Sequence, residues 1–315
     1  MAEADEFENG DDGISPRRTE LPWQHPKPAQ EDPDAPARVQ TLIDSTVYRE
    51  AENDPDFLTL PEARAPRLAL DYLKAEILLN RHNIHRTIVV FGSTRIPEPQ
   101  SAKRQVGALA EAAARDPGNA DLARDLAIAE RRLANSRFYS VARDLGRLVG
   151  AVDTTGNDDR LVVMTGGGPG IMEAANRGAF EKGAETVGLN ITLPHEQYPN
   201  PYITPELCFR FHYFALRKLH FLMRARALVA FPGGYGTLDE LFETLTLVQT
   251  RKIAPLPVVL VGEDYWRRLV DFDFLVAEGT IDPEDTELFV FAETAESIWR
   301  HILDWHAGRG APLLR

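Results

Sequence analysis

Three short runs of β-branched and apolar residues in this chain each lead directly into a glycine turn. The first is Thr87-Ile88-Val89-Val90-Phe91, followed by Gly92-Ser93-Thr94. The second is Leu161-Val162-Val163-Met164, followed by Thr165-Gly166-Gly167-Gly168-Pro169-Gly170 and a helical pattern over 171–182. The third, at 228–231, meets Pro232-Gly233-Gly234-Tyr235-Gly236-Thr237 and a helical pattern over 238–250. Further apolar runs predict strands at 186–191, 208–213, 257–261 and 289–291, and amphipathic spacing predicts helices at 61–83, 138–149, 215–225, 265–278 and 295–306. The strands lack the alternation of a half-exposed sheet, so both sheet faces must be covered. The expected fold is therefore α/β: a Rossmann-like, doubly wound, mainly parallel sheet with helices on both faces. Ligands of such sheets sit beyond the carboxyl ends of the strands, where all three glycine turns should gather.

Charge divides the chain. The net charge is −13, yet residues 1–60 hold 15 Asp and Glu against 5 Lys and Arg, which leaves −3 for the rest. That opening stretch is rich in Pro, Asp and Glu and has no hydrophobic face. It reads as an acidic, largely disordered tail with a short helix around 37–48. Residues 61–315 read as a single nucleotide-binding domain. Within it, the Ala-rich and charged stretch 97–135 turns at Asp116-Pro117-Gly118-Asn119, so a helical insertion is expected. The absence of a basic footprint excludes a generic nucleic-acid binder. The N-terminus has no apolar signal core, and no apolar run is long enough to span a membrane, so a cytoplasmic protein with no membrane partner is expected. The single cysteine lies in Leu207-Cys208-Phe209 and is expected to be a buried structural thiol. His and Cys spacing offers no metal site, and no serine elbow appears.

The segment 231–240 is the strongest local signal. Glycines allow close backbone approach to an anion, and the helix start offers free N–H groups and a positive dipole end. Thr237 can cap the helix or bond a phosphate oxygen. Asp239 and Glu240 stand one turn inside, as dipole-compensating acids or as catalytic acids; local physics leaves both open. The triple-glycine turn at 165–170 is neither a Walker loop nor a dinucleotide fingerprint. Arg217 and Lys218 lie near a predicted helix start, where they are either two solvated charges or, since they oppose the dipole, a sign of an anionic compensator.

These segments together resemble the LOG ("lonely guy") family of cytokinin riboside 5'-monophosphate phosphoribohydrolases, often mislabelled lysine decarboxylases. The resemblance rests on Thr165-Gly166-Gly167-Gly168-Pro169-Gly170-Ile171-Met172-Glu173-Ala174-Ala175-Asn176, Arg217-Lys218, and Pro232-Gly233-Gly234-Tyr235-Gly236-Thr237-Leu238-Asp239-Glu240. It covers roughly residues 86–305, and the 97–135 insertion suggests the longer branch. It implies hydrolysis of a nucleoside 5'-monophosphate, AMP or N6-substituted AMP, to free base and ribose 5-phosphate. It implies Arg217 and Glu240 as the catalytic pair, with Asp239 left as a helix-start acid. Substrate-binding positions would be Glu196, Lys218, Gly233, Gly234, Tyr235, Gly236, Thr237 and Thr246. Gly92, Ser93, Gly167 and Gly168 join them from the other two turns. The substrate is a small-molecule nucleotide, no cofactor is required, and a homodimer or larger homo-oligomer is implied. The alternatives are a broad purine and pyrimidine nucleotide nucleosidase, or a non-catalytic carrier of a phosphorylated cofactor resembling molybdenum-cofactor carriers.

Overall fold

A computed structural model describes residues 21, 24–152, 160–194, 198–310 and 313. Two compact units divide the chain, one up to Arg67 and one from Leu68 onward. In the first, α1 (Ala35–Ile43) and α2 (Pro55–Thr59) are joined by single turns of 3-10 helix. The Asp54 side chain caps α2 by accepting from the Asp56 and Phe57 amides. Short helices therefore occupy much of residues 35–60, where composition predicts little beyond one helix.

The sheet belongs to the second unit. After α3 (Arg64–Arg81) come β1 (Arg86–Phe91), α4 (Pro99–Arg115), α5 (Ala120–Asn135), α6 (Arg137–Gly150), β2 (Leu161–Thr165), α7 (Ile171–Phe180), β3 (Thr186–Ile191) and β4 (Cys208–Phe211). The chain continues through α8 (Phe214–Met223), β5 (Ala225–Ala230), α9 (Tyr235–Gln249), β6 (Val258–Val261), α10 (Glu263–Leu269), α11 (Phe272–Ala277), β7 (Phe289–Ala292) and α12 (Ala295–Gly308). The seven strands run in the order β4-β3-β2-β1-β5-β6-β7, and every pairing is parallel.

Why the strands carry apolar side chains on both faces is visible in the two cores. Val89 and Phe91 of β1 enter one core with Val162 and Met164 of β2, under α3, α8 and α9. Ile88 and Val90 enter the other with Leu161 and Val163, under α6, α7 and α12. Successive side chains of one strand feed opposite faces, so both must be apolar. This is the doubly wound α/β arrangement. Its strand order reverses between β1 and β5, and such switch points open a crevice at the carboxyl edge.

The insertion is a hairpin of α4 and α5 resting on α6. Asn119 turns it and caps α5, accepting from the Asp121 and Leu122 amides. Three expectations need correction. The helix predicted over 265–278 is two helices, because the Asp271 side chain accepts from the Phe274 amide and starts a new one. Helix α9 begins at Tyr235 rather than 238, drawing Gly236 into its first turn. Cys208 is half-buried, since β4 is an edge strand; its thiol sits 3.5 Å from the Asn190 amide and burial pushes its pKa up. Among the described residues no helix is long and apolar enough to cross a membrane.

Candidate active site

The three glycine turns follow β2, β1 and β5, which are neighbours, so the sheet order alone brings them together. Backbone hydrogen bonds then tie them. The Ser93 amide donates to the Pro232 carbonyl at 2.9 Å, and the Ile171 amide donates to the Ser93 carbonyl at 3.2 Å. Between them lies a cavity of about 580 Å³. Its polar wall contains Ser93, Arg95, Thr237 and the Arg217–Glu240 pair, with the backbone of Gly234 and Gly236. Its apolar wall contains Met172, Ile191, Leu193, Phe214 and Phe221.

The start of α9 forms one side. Its N-cap is Gly234, which has no side chain to satisfy the first amides of the helix. Thr237, open in sequence to capping the helix or bonding a phosphate oxygen, is not the cap; its hydroxyl packs against Gly233, where an added Cβ would lie 2.1 Å from Thr237 Oγ1. A Cβ at Gly234 or Gly236 would meet nothing within 4 Å. The Thr237 amide donates to the Gly234 carbonyl at 3.0 Å, which leaves the Tyr235 and Gly236 amides, at the cavity wall, as the uncapped start of the helix, suited to a phosphate. Behind the turn, the Tyr265 hydroxyl donates to the Gly233 carbonyl.

The floor is an ion pair. Arg217 from α8 lies 3.4 Å from Glu240 Oε1 on α9, with side chains 14% and 6% exposed. The Arg217 guanidinium is sandwiched near Phe214 and Phe221, at 4.9 and 5.6 Å from their ring centroids. Its Nε has no hydrogen-bond partner among the described residues. Burial raises the Glu240 pKa to about 7, against the pull of Arg217 and then Lys218. Burial also lowers that of Arg217, despite Glu240. Desolvation therefore outweighs the mutual attraction of the pair. An acid that holds its proton near neutrality is suited to proton transfer.

Of the residues singled out in sequence, Gly92, Ser93, Arg217, Gly234, Tyr235, Gly236, Thr237 and Glu240 line this cavity. Others lie elsewhere. Lys218 points away into ion pairs with Asp239 at 2.8 Å and Glu243 at 3.2 Å. Burial acts to lower its pKa, but the Asp239 contact and the nearby Glu240 and Glu243 carboxylates raise it overall. The basic pair at the start of α8 is therefore compensated by carboxylates of α9. Thr246 is exposed and its hydroxyl donates back to the Phe242 carbonyl at 2.7 Å. Gly167 and Gly168 are buried in the fold, and Gly166 faces the cavity in their place. Glu196 lies outside the described residues. Sequence reasoning missed Arg95 and the apolar wall. Phe214 and Phe221 stand three before and four after Arg217, a helical spacing that could have marked them as its neighbours.

Fold and site define a doubly wound α/β protein whose switch-point cavity joins an uncapped helix start to a buried acid–guanidinium pair. Residues 172–302 match a family model described as "Possible lysine decarboxylase". The chain is 32% identical over 175 residues to cytokinin riboside 5'-monophosphate phosphoribohydrolase LOG3 of Arabidopsis thaliana, covering 54% of this chain and 76% of that one. It is 32% identical to LOG1 of the same plant, covering 46% and 68%. A remote likeness exists to a solved molybdenum cofactor carrier protein from Chlamydomonas reinhardtii, at 17% identity over 70% of this chain and 98% of that one, with a TM-score of 0.36. The chain belongs to the LOG family of phosphoribohydrolases.

Proposed function

We propose that this chain hydrolyses the N-glycosidic bond of nucleoside 5'-monophosphates of the AMP or N6-substituted AMP type, releasing free base and ribose 5-phosphate in the cytoplasm. The carrying observation is the buried Glu240, with a pKa of about 7, paired with Arg217 beneath the uncapped start of α9. The 5'-phosphate docks on the α9 amides, which fixes the ribose over the pair. The bond between C1' and the base nitrogen breaks with its electrons going to the base, leaving an oxocarbenium-like sugar. Ionised Glu240 stabilises that cation and takes a proton from the attacking water, whose oxygen bonds to C1'; that proton then passes to the base nitrogen, so the base leaves neutral and Glu240 returns to its ionised form. The Arg217 guanidinium steadies the negative charge that grows on the leaving base, and Met172, Ile191 and Phe214 supply an apolar seat for the base. Acid, guanidinium and water suffice, so the reading calls for no cofactor.

The test is Glu240→Gln. This variant should bind nucleotide and lose turnover by roughly 10³-fold. Near-normal AMP hydrolysis by it would falsify the assignment. We also propose that the chain acts as a homodimer. Leu70, Leu73 and Ile77 on α3 and Leu219 and Met223 on α8 are exposed large apolar side chains, a surface that a second copy would cover. Light scattering should return twice the mass of one chain; a monomer at micromolar concentration would rule this out.

A further inference from the structure

Charge bookkeeping in the cavity leaves one cation unassigned. A nucleotide 5'-phosphate brings close to two negative charges, and the helix start supplies only about half a charge of opposite sign. Arg217 is already committed to Glu240 at 3.4 Å and is held beside two aromatic rings. Lys218 is committed to Asp239 and Glu243, and does not reach the cavity wall. Arg95 does line the cavity, and among the described residues its side chain has neither an ion pair nor a hydrogen bond. An uncommitted guanidinium on the wall of an anion site is an incomplete set of charge-assisted hydrogen bonds.

The loop that carries Arg95 is held in place. Ser93 Oγ accepts from the Arg95 amide at 3.0 Å, and the Ser93 amide donates to the Pro232 carbonyl, next to the α9 turn. Gly170, at φ 73°, lets the second turn press on this loop; a Cβ there would lie 2.4 Å from the Ser93 carbonyl oxygen. The loop backbone is thus fixed beside the α9 amides while the Arg95 side chain stays free to close on a ligand.

We propose that Arg95 is a substrate-binding residue that clamps the 5'-phosphate against the start of α9, and so makes the site select nucleotides over nucleosides. The proposal rests on the hydrolase reading above, but its test can be separated from it. Two measurements are made on wild type, Arg95→Ala and Arg95→Lys: nucleotide and nucleoside hydrolysis, and calorimetric binding of ribose 5-phosphate against ribose. Arg95→Ala should raise KM for AMP roughly 10- to 100-fold while kcat stays within about threefold, and should leave adenosine hydrolysis unchanged. Arg95→Lys should recover part of the loss. Ribose 5-phosphate affinity should fall in step, with ribose unaffected. Because Arg95 is exposed, an unchanged melting temperature in both variants is expected. If no nucleotide is cleaved but Arg95→Ala still weakens ribose 5-phosphate binding, the hydrolase reading fails and the clamp stands. If nucleotides are cleaved and Arg95→Ala leaves both KM and ribose 5-phosphate affinity unchanged, or lowers AMP and adenosine turnover equally, the clamp is overturned.

Discussion

The turns at 165–170 and 232–237 look alike in sequence: a strand, three or more small residues, a helix. Two glycines of each are used in opposite ways. In the first, glycine serves the fold. Gly167 and Gly170 both sit at φ 73°, and a Cβ on either would strike Asn190 or the Ser93–Thr94 backbone. Side chains complete the lock, with Thr165 Oγ1 donating to Asn176 at 2.7 Å and Asn200 donating to the Gly168 carbonyl at 3.2 Å. In the second turn no glycine has a positive φ. Gly234 and Gly236 are exposed and border empty space, so their lack of a side chain serves access rather than conformation. A glycine cluster after a strand can mark a ligand or a close-packed backbone, and only the neighbours of each Cα tell the two apart.

The same substitution at the two turns should therefore fail in different ways. Gly170→Ala forces a side chain into φ 73°, ψ −126° and against a carbonyl oxygen, and should cost about 3 kcal/mol or more of stability in a denaturant titration. Gly236→Ala adds a methyl to a helical position facing open space. It should leave stability unchanged or raise it by up to about 1 kcal/mol, yet lower kcat/KM by up to roughly a hundredfold through displaced phosphate. Equal effects of both changes on stability would erase the distinction.

The pair beneath the second turn adds a pH signature. With the Glu240 pKa raised to about 7, the folded protein prefers the protonated acid. Stability from this group is full below the ordinary carboxylate range and is lost as pH rises through 7. Wild type should lose about 2 kcal/mol between pH 5 and pH 8 that Glu240→Gln does not lose. Turnover should rise over the same range, as Glu240 ionises. A pH-independent difference between the two proteins would contradict the burial argument. The smallest effect is expected at Lys218, whose contacts lie outside the cavity. Lys218→Ala should shift KM less than about threefold and stability by about 1 kcal/mol or less.

Much of this was legible in sequence, for physical reasons. The strands were plain because the two cores demand apolar residues on both faces, as the run Ile88 to Phe91 illustrates. The gathering of the three turns followed from parallel topology. What periodicity could not show was side-chain commitment. Arg217 and Lys218 are adjacent and chemically similar, yet helical rotation sends one into the cavity and the other to Asp239 and Glu243. The break before α11 depends on a single cap, Asp271, inside an otherwise continuous apolar pattern. Arg95 carries no local pattern at all; its place is set by the packing of Gly170 on the preceding loop.

The central claim is that the buried acid under the open turn cleaves a glycosidic bond. It is tested most directly by incubating the purified chain with AMP, GMP, CMP, UMP and N6-isopentenyl-AMP and resolving the products chromatographically. The account predicts free base and ribose 5-phosphate in equal amounts from AMP and its N6-substituted form. Recovery of every nucleotide intact, with a phosphorylated ligand held and not turned over, would contradict it.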